Sequence, residues 1–144
     1  MKEGITVQIR WADIDANHHL RHSAYYDFGA MVRTRYFRDL KLGALFKSQN
    51  IGPILFREEA VFRREILHED VITVDFKVQK ARRDYSRWTV VHTFLKQDGI
   101  LATTITVDMA WIDLATRKIG VPNLEIKNKM NTLPRTENFC WVDI

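Results

Sequence analysis

One cysteine, Cys140, is all that the 144 residues provide. It excludes an internal disulfide framework and fits a reducing compartment. With Phe139 and Trp141 beside it, Cys140 reads as packing or incidental. Long apolar runs are also missing. None approaches the roughly 20 residues that a membrane helix needs, which argues against membrane insertion. No apolar secretion segment follows Met1-Lys2-Glu3-Gly4, so the expected compartment is the cytoplasm. There is no internal repeat, low-complexity tract or linker-like shift in composition. Residues 1–144 therefore read as one domain with one core, the last stretch from about 132 being a tail. A large excess of one charge is lacking too. The net charge of +4, with 46% hydrophobic and 28% charged residues, is an ordinary globular balance. No array of stacking aromatics accompanies the basic residues, and nucleic acid is not an expected partner.

What is present is a change of period. Ile5, Val7, Ile9 and Trp11 alternate with polar residues, as in a half-buried strand. From Ser23 to Leu40 the spacing becomes helical: Tyr25, Phe28, Val32, Tyr36 and Leu40 form one stripe, and Ser23 is placed to cap it. Gly29 on the buried side suggests close contact with another backbone. Lys41 to Pro53 contains Gly43, Gly52 and Pro53 and reads as loop, with room for a short helical turn. Strand patterns follow over Ala60–Leu67, with Phe62 and Ile66 inward, then Val71–Ala81, Ser86–Lys96 and Ile100–Ile112. Asp98-Gly99 supplies a hairpin turn. A short helix runs from Pro122 to about Met130. One helix of about 18 residues spans roughly 27 Å, enough to cross such a sheet. The expected class is α+β: a five-stranded antiparallel sheet wrapped around one long central helix.

The chemistry concentrates in Arg10-Trp11-Ala12-Asp13-Ile14-Asp15-Ala16-Asn17-His18-His19-Leu20-Arg21-His22-Ser23-Ala24-Tyr25-Tyr26, between the first strand and the long helix. A helix start has unpaired N–H groups and a partial positive charge, suited to an oxyanion. Asp15 beside it reads as a base or nucleophile, or else as a residue that merely caps a turn. His18, His19 and His22 lack a thiolate or a spare carboxylate, so no metal is expected. Lys80, Arg82, Arg83 and Arg87 fall within eight residues, a cluster suited to phosphate or to a solvated hairpin end.

This segment resembles the signature of the hotdog-fold acyl-CoA thioesterases of the 4-hydroxybenzoyl-CoA type, and the likeness covers nearly the whole chain. Asp13-Ile14-Asp15 matches the family's Asp-x-Asp pair, and Tyr25 its tyrosine at the helix start. Leu67-His68-Glu69-Asp70 is similar to the turn between the family's second and third strands. Trp111 to Lys118, through Val121-Pro122, is similar to its final strand and exit. The resemblance implies hydrolysis of an acyl-CoA thioester, with Asp15 as catalytic carboxylate and His22 assisting through ring and main chain. It implies substrate contacts at Tyr25 and CoA phosphates at Lys80, Arg82 and Arg83, with Ser86 beside them. CoA is part of the substrate and no further cofactor is required. Self-association as a dimer or tetramer, with sites at the shared interface, is implied as well. The chain departs from the family at His18, where a Gly is usual. The rival readings are a non-catalytic acyl-CoA or lipid-binding homo-oligomer and a structural homodimer serving a biosynthetic pathway. Arg57 and Glu58 read as lining the acyl pocket or as an interface ion pair.

Overall fold

The computed structural model describes residues 4–142. Met1–Glu3, on which the secretion-segment reading rests, and the final Asp143 and Ile144 of the expected tail lie outside the described residues. In chain order the elements are β1 (Ile5–Val7), a 3-10 turn (Trp11–Asp13), α1 (Ala24–Asp39), α2 (Leu42–Gln49), β2 (Ile51–Phe62), β3 (Ile72–Val74), β4 (Lys77–Ala81), β5 (Arg87–Leu95), β6 (Leu101–Asp113), α3 (Leu124–Met130) and β7 (Arg135–Trp141).

The sheet has seven strands, not five. Across its width it is still five positions: β2, β6, β5, then β3 and β4 end to end, then β1 beside β3 and β7 beside β4. Every pairing is antiparallel except β4 with β7. Two corrections account for the extra strands. The run Val71–Ala81 is interrupted after Val74, where Asp75 turns its carboxylate onto the Thr93 amide at 2.6 Å. Its inward set, Ile72, Val74, Phe76 and Val78, is buried as the alternation requires. The segment read as a tail contains β7, in which Cys140 is exposed.

The strand expected at Ala60–Leu67 instead begins at Ile51, and what read as loop before it contains α2. Pro53 cannot donate to a ladder, but among the described residues β2 pairs only with β6, and a proline is tolerated on such an edge. Lys41 and Asn50, both with φ in the left-handed region, bracket α2 and sharpen its ends. The first strand is also shorter than expected. It stops at Val7, and Trp11 opens the 3-10 turn with 79% of its surface exposed rather than packing inward.

Helix α1 covers the inner face of the sheet through the expected stripe. Tyr25 meets Phe94 at 5.4 Å between ring centroids, and Tyr36 stacks on Phe76 at 4.8 Å. Ser23 stands at the helix N-cap, but its hydroxyl accepts from Arg21 rather than from a helix amide. Gly29 makes room for a side chain, not a backbone. A Cβ there would lie 3.3 Å from both the His92 ring and the Arg33 guanidinium.

Candidate active site

The loop from Ile14 to Leu20 is a small hairpin built on Asp15. Its amide donates to the His19 carbonyl at 2.9 Å, and its Oδ1 accepts from the amides of Asn17 (2.9 Å) and His19 (3.2 Å). His18 completes the reversal with φ of 62°. That is the left-handed region, where Gly is unstrained and other residues are uncommon. The Gly usual at this place thus has a conformational reason, and His18 adopts the same conformation. The Leu20 amide donates to the Ile66 carbonyl at 2.7 Å, which fastens the loop to the segment after β2.

The two carboxylates of the Asp-x-Asp pair have different roles. Asp13 is buried and held by Arg10, with Nη2 at 2.9 Å from Oδ1 and Nε at 3.2 Å from Oδ2. The Arg10 hydrogen bond holds its pKa below the usual carboxylate value. Asp15 is half-buried and spends one oxygen on the turn, so the capping interpretation is correct for Oδ1. Its Oδ2 has no hydrogen-bond partner among the described residues. It lines a cavity of about 330 Å3 together with His19, Leu20, His22, Tyr25, Phe62, Arg63, Arg64 and Glu65. The amides of His22 and Ser23, just ahead of α1, find no acceptor among the described residues.

Asp15, His22 and Tyr25 are therefore brought together. Tyr25 is buried against Phe62 at 5.0 Å, and burial raises its phenol pKa above the ordinary value. Arg63, Arg64 and Glu65 share the cavity and were not singled out from the sequence, and Phe62, expected to point inward, stands at its wall 50% exposed. Reading one strand through Leu67 hid them, although the consecutive pair Arg63-Arg64 breaks the alternation and could have marked a bulge. Glu65 pairs with His19 at 3.0 Å.

The basic cluster is elsewhere. Lys80 and Arg82 line a second cavity of about 200 Å3 with Phe56, Arg87, Trp88, Thr89 and Asp108. Arg83 lies over the Trp141 ring at 5.5 Å. Ser86 is buried beneath the hairpin rather than displayed beside these cations. Arg87 opens β5 at this end, while Phe94 touches Tyr25 at the other. Seven residues of strand place the ends roughly 23 Å apart. Arg57 pairs with Glu59 at 2.8 Å and Asp108 at 3.3 Å. Among the described residues no three of His, Cys, Asp and Glu are grouped to hold a metal ion, and no helix is long and apolar enough to cross a membrane.

Comparison with known proteins agrees with this fold. The sequence pattern of the thioesterase-like superfamily matches residues 9–133. Among solved structures, a hypothetical protein of Staphylococcus aureus in complex with CoA is similar, with 22% identity, a TM-score of 0.80, and coverage of 94% of this chain and 90% of that one. The probable thioesterase YbaW of Escherichia coli has 16% identity, a TM-score of 0.82, and coverage of 93% and 100%. A 1,4-dihydroxy-2-naphthoyl-CoA thioesterase of Synechocystis has 13% identity, a TM-score of 0.78, and coverage of 90% and 96%. No curated protein matches the chain. With the α+β architecture, the Asp15 loop at the start of α1 and the match over residues 9–133, the chain belongs to the thioesterase-like superfamily and has the hotdog fold.

Proposed function

We propose that the protein hydrolyses an acyl-CoA thioester, with Asp15 as the catalytic carboxylate. The observation that carries this is the place of Asp15, whose Oδ2 has no partner among the described residues, in a cavity shared with His22, whose amide just ahead of α1 also lacks an acceptor. A thioester carbonyl placed there receives N–H donors as its oxygen becomes an oxyanion. Asp15 takes a proton from water, the water oxygen bonds to the carbonyl carbon, and collapse breaks the C–S bond. The thiolate then recovers the proton. In the alternative route Asp15 attacks the carbon directly, and water hydrolyses the resulting mixed anhydride. His22 lines the same cavity and assists the transfers; Tyr25 walls the acyl side.

The reading extends to assembly. β2 leaves one edge without a partner among the described residues, and Phe56 and Phe62 on it are 52% and 50% exposed. A twelve-residue open edge invites pairing. Two copies joined antiparallel along β2 obey a two-fold axis. The Phe62 end of one copy then lies beside the Ile51 end of the other. Ile54 is level with Ala110 and Arg87 in the sheet. This brings the partner's Lys80, Arg82 and Arg83 toward the Asp15 end, where their own chain cannot place them.

The test is steady-state hydrolysis across short, long and aromatic acyl-CoAs by wild type and Asp15→Asn, with melting temperatures alongside. Asn keeps the size and most hydrogen bonds but not the basicity. Turnover should fall about a hundredfold or more while substrate still binds. Equal rates would end the assignment of Asp15. An inert wild type that binds acyl-CoA would favour a non-catalytic carrier.

A further inference from the structure

Two cations sit in the Asp15 cavity that the proposed chemistry leaves unused. The ladder between β2 and β6 ends at Phe62 opposite Thr103. Beyond it the amides of Arg63 and Arg64 both donate to the Ala102 carbonyl, at 2.8 and 3.0 Å. Two residues facing one make a bulge, which re-aims side chains that an extended strand would send to opposite faces. Consequently Arg63 and Arg64 both line the 330 Å3 cavity of Asp15 and also an adjoining cavity of about 640 Å3, shared with Glu65, Lys96 and Ile100.

The other charges of the outer cavity are already engaged. Lys96 holds Asp70 at 3.1 Å and the Glu65 carbonyl at 3.2 Å, and the Glu65 carboxylate meets His19. Neither Arg63 nor Arg64 has an acidic partner within the described chain. The outer cavity has one apolar lining residue, Ile100, so it suits a polar group rather than an acyl chain. Adjacent guanidinium groups favour phosphate, whose oxygens accept paired N–H donors.

We infer that Arg63 and Arg64 bind the phosphate groups of the thiol carrier whose thioester reaches Asp15. The inference deepens the hydrolase reading and rests on it for the position of the thioester. It needs no second chain, unlike a role for Lys80, Arg82 and Arg83. The same chemistry is offered by free coenzyme A and by phosphopantetheine on a carrier protein.

Calorimetric titration separates the possibilities, using coenzyme A, 4′-phosphopantetheine and phosphate-free pantetheine as probes. The proteins compared are wild type, Arg63→Ala/Arg64→Ala, and Lys80→Ala/Arg82→Ala/Arg83→Ala. The main-chain bonds to Ala102 survive the double substitution, so its melting temperature should hold. Its Kd for coenzyme A should rise about tenfold or more, and the difference should shrink as salt screens the exposed charges. Loss with both phosphorylated probes supports the phosphate next to pantetheine and admits carrier-protein thioesters. Loss with coenzyme A alone supports the nucleotide phosphates and restricts the substrate to CoA. Unchanged affinity in the double variant, equal loss with pantetheine, or a wild type that does not bind coenzyme A would overturn the inference. Because the readout is binding, it stands even if wild type hydrolyses nothing. Turnover by wild type with unchanged affinity in the double variant would overturn the phosphate site alone.

Discussion

His92 is fully buried under the middle of α1, and its neighbours decide its protonation. Arg33 can only donate, so His92 Nε2, 3.1 Å from Arg33 Nη1, must accept. Nδ1 then carries the hydrogen and donates to the Asp75 carbonyl at 2.8 Å. Burial, with a smaller contribution from the Arg33 charge and against the Asp75 hydrogen bond, pushes the pKa of this imidazole down to about 3. The unfolded chain protonates His92 near the ordinary value of about 6.5, whereas the folded chain does not. Stability therefore falls as pH drops from about 6.5 toward 3, by at most about 1.4 kcal/mol per pH unit from this group. Denaturant midpoints at pH 7 and 5 should show the loss. His92→Gln, which keeps an acceptor and a donor, should flatten it; an unchanged slope would assign the effect to other groups. His18 permits a second test at this scale. Its left-handed backbone suits Gly, so His18→Gly should change stability by no more than about 1 kcal/mol and retain activity. His18→Val, β-branched and confined to negative φ, should be destabilising by more than that, as read from the melting temperature. The division of labour between Asp13 and Asp15 was only half legible from the sequence. The Asp-x-Asp spacing marks the pair. That Arg10, three residues earlier, clamps one carboxylate and leaves the other open is a fact of the 3-10 turn.

At the scale of elements, legibility followed period. α1 was clear from Tyr25, Val32 and Tyr36, and β6 from Thr103, Ile105, Val107, Met109 and Trp111, because each buries one continuous face. β2 was obscured because Gly52 and Pro53 signal a turn to any local reading, and only an edge position makes them compatible with a strand. β7 was obscured because its first four residues, Arg135-Thr136-Glu137-Asn138, are polar and only Phe139 and Trp141 pack toward the core, so the strand gains its place from β4. Arg63 and Arg64 were missed for a different reason, since their geometry comes from the bulge opposite Ala102 at the other end of β2. The open edge of β2 carries its own prediction. Phe56→Lys places a charge on the exposed strand, and charged side chains blunt edges. It should shift a dimer toward monomer in light scattering while the circular dichroism of the fold remains. If wild type itself scatters as a 17.0 kDa monomer, pairing along β2 is wrong.

For the molecule as a whole, the sheet presents unlike margins. On the β2 side an apolar edge is open. On the far side, β7 covers β4 in parallel, with Arg135 beside Val78 and Trp141 beside Ala81. Arg135 stacks on Phe139 at 4.1 Å from the ring centroid, and Trp141 packs edge-on against Tyr85 at 5.6 Å, so the cover is fixed by aromatic contacts as well as backbone pairing. This arrangement has a consequence in time. More than fifty residues separate β4 from β7. At a synthesis rate of about 5–20 residues per second, β4 leaves the ribosome several seconds before its cover exists. Through that interval the nascent sheet is open on both sides. Removal of the segment after Leu133 would make the interval permanent, and the shortened chain should accumulate as aggregate rather than as a destabilised but soluble domain.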